Sequence, residues 1–290
     1  TPYMPPKWAF GFQQSRWSYP NENAVTDVAD KMADAGIPCD AIYIDIDYMD
    51  NYKVFTVDKN KFADFKKFTA EMKQRGIRLI PIIDPGVRVE ENYSVYEDGV
   101  KNNYFCKESD GKTDFTAAVW PGLVHFPDFL NDNARTWWGQ LYHFLWDAGI
   151  DGIWNDMNEP AIGDGPEVSM PKDNIHRGGE GMAEGPHLRF HNVYGFNMVR
   201  ASRDGLLLAN PNKRPFVLSR SNFLGGHRYA ATWTGDNKSS WEQFEASVPM
   251  SLTLGLSGQP FNGPDIGGFV GSTNANLLAH WTALGVYFPF

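Results

Sequence analysis

Cysteine is scarce: Cys39 and Cys106 are the only two in 290 residues. That excludes a Cys-rich metal site and a disulfide scaffold, and both are expected as free thiols in the core. Long apolar runs are missing too, and none approaches the roughly 20 residues that span a bilayer, so no membrane partner is expected. Positive charge is short. Against 35 Asp and Glu stand 26 Lys and Arg, a net charge of -9, and no basic stripe interleaved with aromatic rings speaks for nucleic acid. No Gly-x-Gly-x-x-Gly follows a strand, no phosphate loop ends in Lys-Ser or Lys-Thr, and no His-Glu-x-x-His occurs. Ser219 and Ser221 lack a Gly-x-Ser-x-Gly frame. His125, His176, His187, His191, His227 and His280 read as scattered. No metal or organic cofactor is therefore expected. Thr1 to Pro6 form no secretory signal, and the absent initiator Met suits a segment of something longer. The compartment stays open between bacterial cytoplasm, periplasm and a secretory lumen.

What is present alternates strand with helix. Apolar stretches at Trp8–Phe12, Ala41–Ile46, Arg78–Asp84, Gly152–Asp156, Phe216–Arg220, Ala230–Trp233 and Gln259–Asn262 read as strands. Helical patterns lie between them at Asn21–Ala35, about Phe62–Met72, Asn131–Ala148, His187–Arg203 and Trp241–Leu254, and a last one runs from Asn274 to about Tyr287. Strands apolar almost throughout belong to parallel sheets covered by helices. The expected fold is an α/β (β/α)8 TIM barrel over residues 1–290, short of its eighth strand. Two segments break the rhythm. Residues 85–130 are too long for an ordinary connection and are expected to form part of the active-site mouth. Residues 161–186 are Gly-rich with little apolar material, and read as an exposed loop.

Five aspartates recur at one kind of place: Asp45, Asp84, Asp156, Asp236 and Asp265 each end or follow an apolar strand. In a parallel barrel all those ends meet on one face. Carboxylates so gathered suit either a hard-cation site for Mg²⁺ or Ca²⁺ or cleavage of a glycosidic bond by a carboxyl pair. Trp17, Trp120, Trp154 and Trp233 adjoin strand ends or the 85–130 segment and favour the second, since rings cover the apolar faces of sugars. Arg220 follows a strand and is placed to hold a hydroxyl or fix a neighbouring Asp.

Trp154-Asn155-Asp156-Met157-Asn158-Glu159-Pro160 resembles the signature of glycoside hydrolase family 31, the α-glucosidase family. Trp233-Thr234-Gly235-Asp236-Asn237 is similar to its second catalytic segment. Ile44–Asp50, Ile82–Gly86, Val217–Ser221 and Phe261–Phe269 match further segments in family order. The resemblance implies Asp156 as nucleophile and Asp236 as acid/base, about 5–5.5 Å apart in a retaining enzyme. It implies a sugar pocket drawing on Asp45, Asp84, Trp120, Trp154, Met157, Arg220, Trp233, Asp265 and Phe269. The implied substrate is a short α-linked glucoside cleaved from its non-reducing end. Alternatives within the family are α-xylosidase, α-glucosyltransferase and α-glucan lyase; outside it stands a non-catalytic carbohydrate-binding relative. The family's Arg-x-His segment, eighth strand and flanking β-domains have no counterpart in these residues, so a longer parent is expected. Asn92-Tyr93-Ser94 and Asn237-Lys238-Ser239 are glycosylation sequons, and a glycan on Asn237 would crowd Asp236.

Overall fold

The computed structural model describes residues 3–163 and 168–290. Its main sheet has seven strands: β1 (Gln13–Gln14), β2 (Ala41–Ile44), β3 (Arg78–Ile83), β4 (Gly152–Asn155), β5 (Phe216–Ser219), β6 (Ala231–Trp233) and β7 (Asn262–Gly263). Each pairs in parallel with the strand before it, so spatial order equals chain order. That is the succession of a TIM barrel, present here as a curled half-barrel. Strands β2, β4 and β5 are buried at every residue, which is why they read as unbroken apolar runs. Beside β7, the N–H of Phe290 donates to the carbonyl of Asn262 at 3.1 Å.

The helices are α1 (Glu22–Asp34), α2 (Phe65–Gln74), α3 (Ser94–Lys101), α4 (Asp132–Leu141), α5 (His143–Asp147), α6 (His187–Ala209), α7 (Trp241–Leu256) and α8 (Ala275–Gly285). Their starts are chemically marked. Asn21, Asp64, Ser240 and Asn274 each accept a hydrogen bond from a backbone N–H three residues on, satisfying a donor that the first turn leaves free.

Four expectations need correction. The first strand is not Trp8–Phe12. After Pro5-Pro6 the chain makes a 3-10 turn over Lys7–Phe10 that buries Ala9 and lays Trp8 edge-on against Phe216 at 5.0 Å, and the strand forms at Gln13–Gln14. A short apolar run does not fix its own periodicity. The helix expected over Asn131–Ala148 divides into α4 and α5 at Tyr142, whose hydroxyl is held by Ser202 and Asn155 in the core. Residues 85–130 are not loop alone. They contain α3 and a three-stranded antiparallel sheet of Val87–Arg88, Gly122–His125 and Thr116–Val119. In the 161–186 segment, residues 164–167 lie outside the described residues, and the rest is not simply exposed: Met170, Asn174 and His176 are buried, and Ile175–His176 pairs with Gly185–Pro186. Polar side chains are buried there in place of apolar ones, which composition could not reveal.

Helices α4 and α6 pack where glycine meets glycine. A Cβ at Gly205 would overlap the backbone carbonyl of Gly139, and one at Gly139 would stand 2.9 Å from the carbonyl of Ala201. Alanine favours a helix over glycine by about 1 kcal/mol, but here it must push two backbones apart. Gly205→Ala should therefore lower stability by about 1–3 kcal/mol in urea unfolding, and an unchanged or raised midpoint would show that the crossing has slack.

Candidate active site

The sheet delivers its polar residues to one rim. Asp45 follows β2, Asp84 follows β3, Asp156 follows β4, Arg220 follows β5, Asp236 lies just beyond β6 and Asp265 just beyond β7. These are the C-terminal ends of parallel strands, where barrel folds place their chemistry. Asp156 to Pro160 forms a tight loop. Met157 has φ 54°, a left-handed value that costs a non-glycine residue about 1 kcal/mol and that the surroundings must hold. Two contacts do so: the Asn158 amide donates to Ser219 Oγ at 2.9 Å, and Asn158 Oδ1 accepts the N–H of Ser221 at 3.0 Å. Behind the loop, Asn155 is locked by Tyr142 and Ser202 in the buried layer.

Arg220 organises the charges. Its Nε and Nη2 donate to the two oxygens of Glu159, each at 2.9 Å, and its Nη1 stands 3.1 Å from Asp156 Oδ1. Nη2 also meets the Met157 sulfur at 3.1 Å. Burial opposes the guanidinium charge, but the Glu159 hydrogen bonds and the charges of Asp156 and Glu159 outweigh it and raise its pKa. The acids respond to the same surroundings. Asp156 is raised to about 6 by burial, with Arg220 and the Met157 N–H opposing and Asp236 and Glu159 adding. Asp45 and Asp265 are each raised to about 7, chiefly by burial, then by the neighbouring carboxylates. Asp84 is raised well above the usual range by burial and by Asp156 and Asp45, and its Oδ1 has no hydrogen-bond partner. Asp236 stands on the exposed lip, yet desolvation of its carboxyl raises it, Glu159 adds and Arg220 opposes. The five aspartates are thus electrostatic neighbours, as their strand-end positions predict.

The rings divide. Trp154 and Trp233 are buried side by side, edge to face at 5.8 Å, and the Trp154 Nε1–H is without a partner. Trp120 sits at the tip of the antiparallel hairpin, half exposed, against the equally open Trp17 at 6.3 Å. Its ring partner is Trp17 and not the buried pair. Phe269 is partly open, and its N–H is taken by Asn237. Beside this rim a cavity of about 580 Å³ is lined by Arg220, Trp233 and Gly235 together with α7.

Sequence reasoning passed over two residues. Glu159 fixes Arg220; its signal was an acid three positions after Asp156 in the same motif. Asn237, read only as a sequon, donates to the Asp265 carbonyl at 3.1 Å and so ties the Asp236 loop to the Asp265 loop. The histidines are also not all scattered. Cys106, Asp128 and His176 meet in the core. Two ligands of one tetrahedral zinc stand about 3.3 Å apart. His176 Nδ1 and Asp128 Oδ1 are 2.7 Å apart and bond to each other instead. Among the described residues no helix is long and apolar enough to cross a membrane, and both cysteines are free, Cys106 buried and Cys39 only partly so.

Known proteins resemble this chain over its whole length. The profile of the glycosyl hydrolases family 31 TIM-barrel domain matches residues 2–290. Alpha-glucosidase 2 of Bacillus thermoamyloliquefaciens is 46% identical over 287 residues, which is 99% of this chain and 36% of that protein. The solved glucosidase II α subunit in its alpha3-Glc2-bound form has a TM-score of 0.93 at 39% identity, covering 100% of this chain and 31% of the other. A family 31 α-glucosidase from Bacteroides thetaiotaomicron gives 0.87 at 48% identity, covering 100% and 46%. The chain spans 36% of the curated relative's length.

The raised carboxyls set a pH dependence of stability. A folded carboxyl that binds its proton more tightly than the unfolded one favours folding below the ordinary value of 3.8. That contribution is lost as pH rises through about 7. Asp45→Asn keeps the Oδ1 that accepts the Ile46 N–H and carries no charge at any pH. It should raise the thermal midpoint near pH 8 by the equivalent of about 1–3 kcal/mol and leave it close to wild type near pH 4. An equal shift at both would contradict the electrostatic origin.

Proposed function

This chain belongs to glycoside hydrolase family 31, and from that premise we propose that it supplies the catalytic barrel of a retaining, exo-acting α-glucosidase. The observation that carries the reading is the unequal setting of its two central carboxyls. Asp156 touches Arg220 and titrates at about 6, so at neutral pH it is an anion ready to attack. Asp236 is raised by burial, with Arg220 opposing and Glu159 adding, and has no cation in contact among the described residues, so the proton-donor role is assigned to it and the anion's role to the Arg220-paired Asp156. Two acids set apart by environment are what acid/nucleophile chemistry needs.

In the proposed reaction the glucosidic oxygen takes the Asp236 proton as its bond to the anomeric carbon breaks. Asp156 Oδ closes on that carbon from the other face and forms a glucosyl ester. Asp236, now ionised, removes a proton from water, which attacks the same carbon and releases Asp156. Asp45, Asp84 and Asp265 offer acceptors, and donors when protonated, to the sugar hydroxyls. Trp154 and Trp233 line the sugar's apolar surface, with Met157 and Phe269 beside them, and Trp120 with Trp17 stacks at the mouth. Terminal glucose on a short α-linked chain is the proposed substrate. Polypeptide outside these residues takes part in choosing the linkage, since the matched relatives are far longer.

The test uses the full-length protein. On an aryl α-glucoside the first glucose seen by NMR should be the α-anomer, and the β-anomer would refute retention; on maltose, longer oligosaccharides would mark a transferase and anhydrofructose a lyase. Asp156→Ala should abolish turnover. Asp236→Ala should slow maltose far more than an aryl glucoside, whose leaving group needs little protonation.

Glu159 gives a separate check. Glu159→Gln removes two charge-assisted hydrogen bonds from Arg220, so kcat/KM should fall about 10- to 100-fold. The acid limb of kcat/KM, set by Asp156, should move below the wild-type value of about 6, because a neighbouring negative charge is gone. An unmoved limb would show that Glu159 does not reach the nucleophile.

A further inference from the structure

A line of polar side chains runs from the core to the surface outside the sugar site. Asp128 Oδ2 accepts the N–H of Arg177 at 2.7 Å, and its Oδ1 lies 2.7 Å from His176 Nδ1. His176 Nε2 lies 2.8 Å from His187 Nδ1, and His187 Nε2 lies 3.0 Å from His191 Nδ1. Asp128, His176 and His187 are buried, and His191 is partly open. Asp128 can only accept, so one proton order satisfies every link: each histidine carries its proton on Nδ1 and donates toward Asp128.

The line joins three parts of the fold. Asp128 belongs to the 85–130 excursion, His176 to the 161–186 segment, and His187 and His191 to the first turns of α6. Further along α6, the Tyr194 hydroxyl donates to the Pro127 carbonyl at 2.9 Å, and Gly195 lies directly against the Asn158 carbonyl of the Asp156 loop. We propose that the Asp128–His176–His187–His191 chain is an acid-released clasp that holds both excursions at the mouth of the candidate site against α6.

Proton counting gives the direction. The closed chain has room for one added proton. If it enters at His191 and each link reverses, His176 becomes a cation paired with Asp128 and every hydrogen bond survives. A second added proton finds no acceptor left in the line. The opened segment has three free imidazoles, each of which titrates near 6.5. Opening therefore takes up protons, and acid favours it. The surroundings give no relief. Cys106 Sγ, 3.7 Å from His176 Nδ1, is a thiol raised further by burial. The rings of Phe190 and Tyr194 pack on His176, Arg189 lies over Phe190, and the Lys107 ammonium is paired with Asp114. Burial, then the positive charge that His176 and His191 can carry, lowers His187 from 6.5 to about 3.

Hydrogen exchange on the full-length protein tests the clasp without reference to catalysis. Exchange is followed by mass spectrometry near pH 7.5 and near pH 5, with times scaled for intrinsic chemistry. Peptides from residues 170–194 should open at least about 30-fold more readily at the lower pH, the change between pH 7.5 and pH 5 expected for one imidazole that titrates at 6.5 when free and at about 3 when held. A β3 peptide, which contains no histidine and is followed by a carboxyl that acid stabilises, should not open more readily at the lower pH. His187→Gln keeps a donor and an acceptor but cannot take a proton, and should remove about 30-fold of the response. Equal protection at both pH values, or the same change in the β3 peptide, overturns the proposal in wild type alone. So does a His187→Gln protein with the whole response intact.

Discussion

Arg220 is the contact on which the rest of the rim depends. One guanidinium grips Glu159 with two nitrogens and reaches Asp156 with the third. Around it stand Asp45, Asp84, Asp236 and Asp265, all raised by desolvation. Remove that cation and the acids face one another in a poorly solvated space, where repulsion is strong. The opposite end of the sheet shows the contrast. Asp151, just before β4, has Lys73 at 2.8 Å and Lys213 at 3.0 Å, with Arg78 near it. There acid is neutralised by several bases and serves stability. At the rim it is left under-neutralised, and protons make up part of the difference.

Much of this was legible because barrels write function at fixed places. An apolar run followed by Asp could be read at Asp45, Asp84 and Asp156 without coordinates, and the strand ends then brought the five acids into one field. Strand order followed from the same alternation. Trp154 and Trp233 were readable as rings near strand ends, though not as a pair in contact. What could not be read was direction beyond the strands. Trp120 was expected in the sugar pocket, and the ring it meets at the hairpin tip, Trp17, could not be foreseen from its position in the chain.

The larger misreading concerned polar burial. Residues 161–186 lacked apolar side chains, and composition said surface. His176 and Asn174 are buried there because hydrogen bonds, not hydrocarbon, meet their needs. The partners of His176 are 48 residues away in one direction and 11 in the other. No periodicity links such positions. The first strand failed for a related reason: after Pro5-Pro6 the apolar run forms a 3-10 turn whose Trp8 packs on Phe216 of β5 and whose Phe10 packs on Phe261.

The order of the strands bears on how the chain is made. Each new strand pairs with the one synthesised just before it, so the sheet grows from its N-terminal edge as the polypeptide leaves the ribosome. The connection from β3 to β4 delays this growth, because α3 and the antiparallel hairpin must be laid down before β4 can close on β3. The rim around Arg220 then comes late: Asp45 and Asp84 wait for Asp156, Arg220 and Asp236 to be translated. Until then Asp45 and Asp84 lack both their base and much of the cover that desolvates them, so the burial that raises their carboxyls comes only with the later strands.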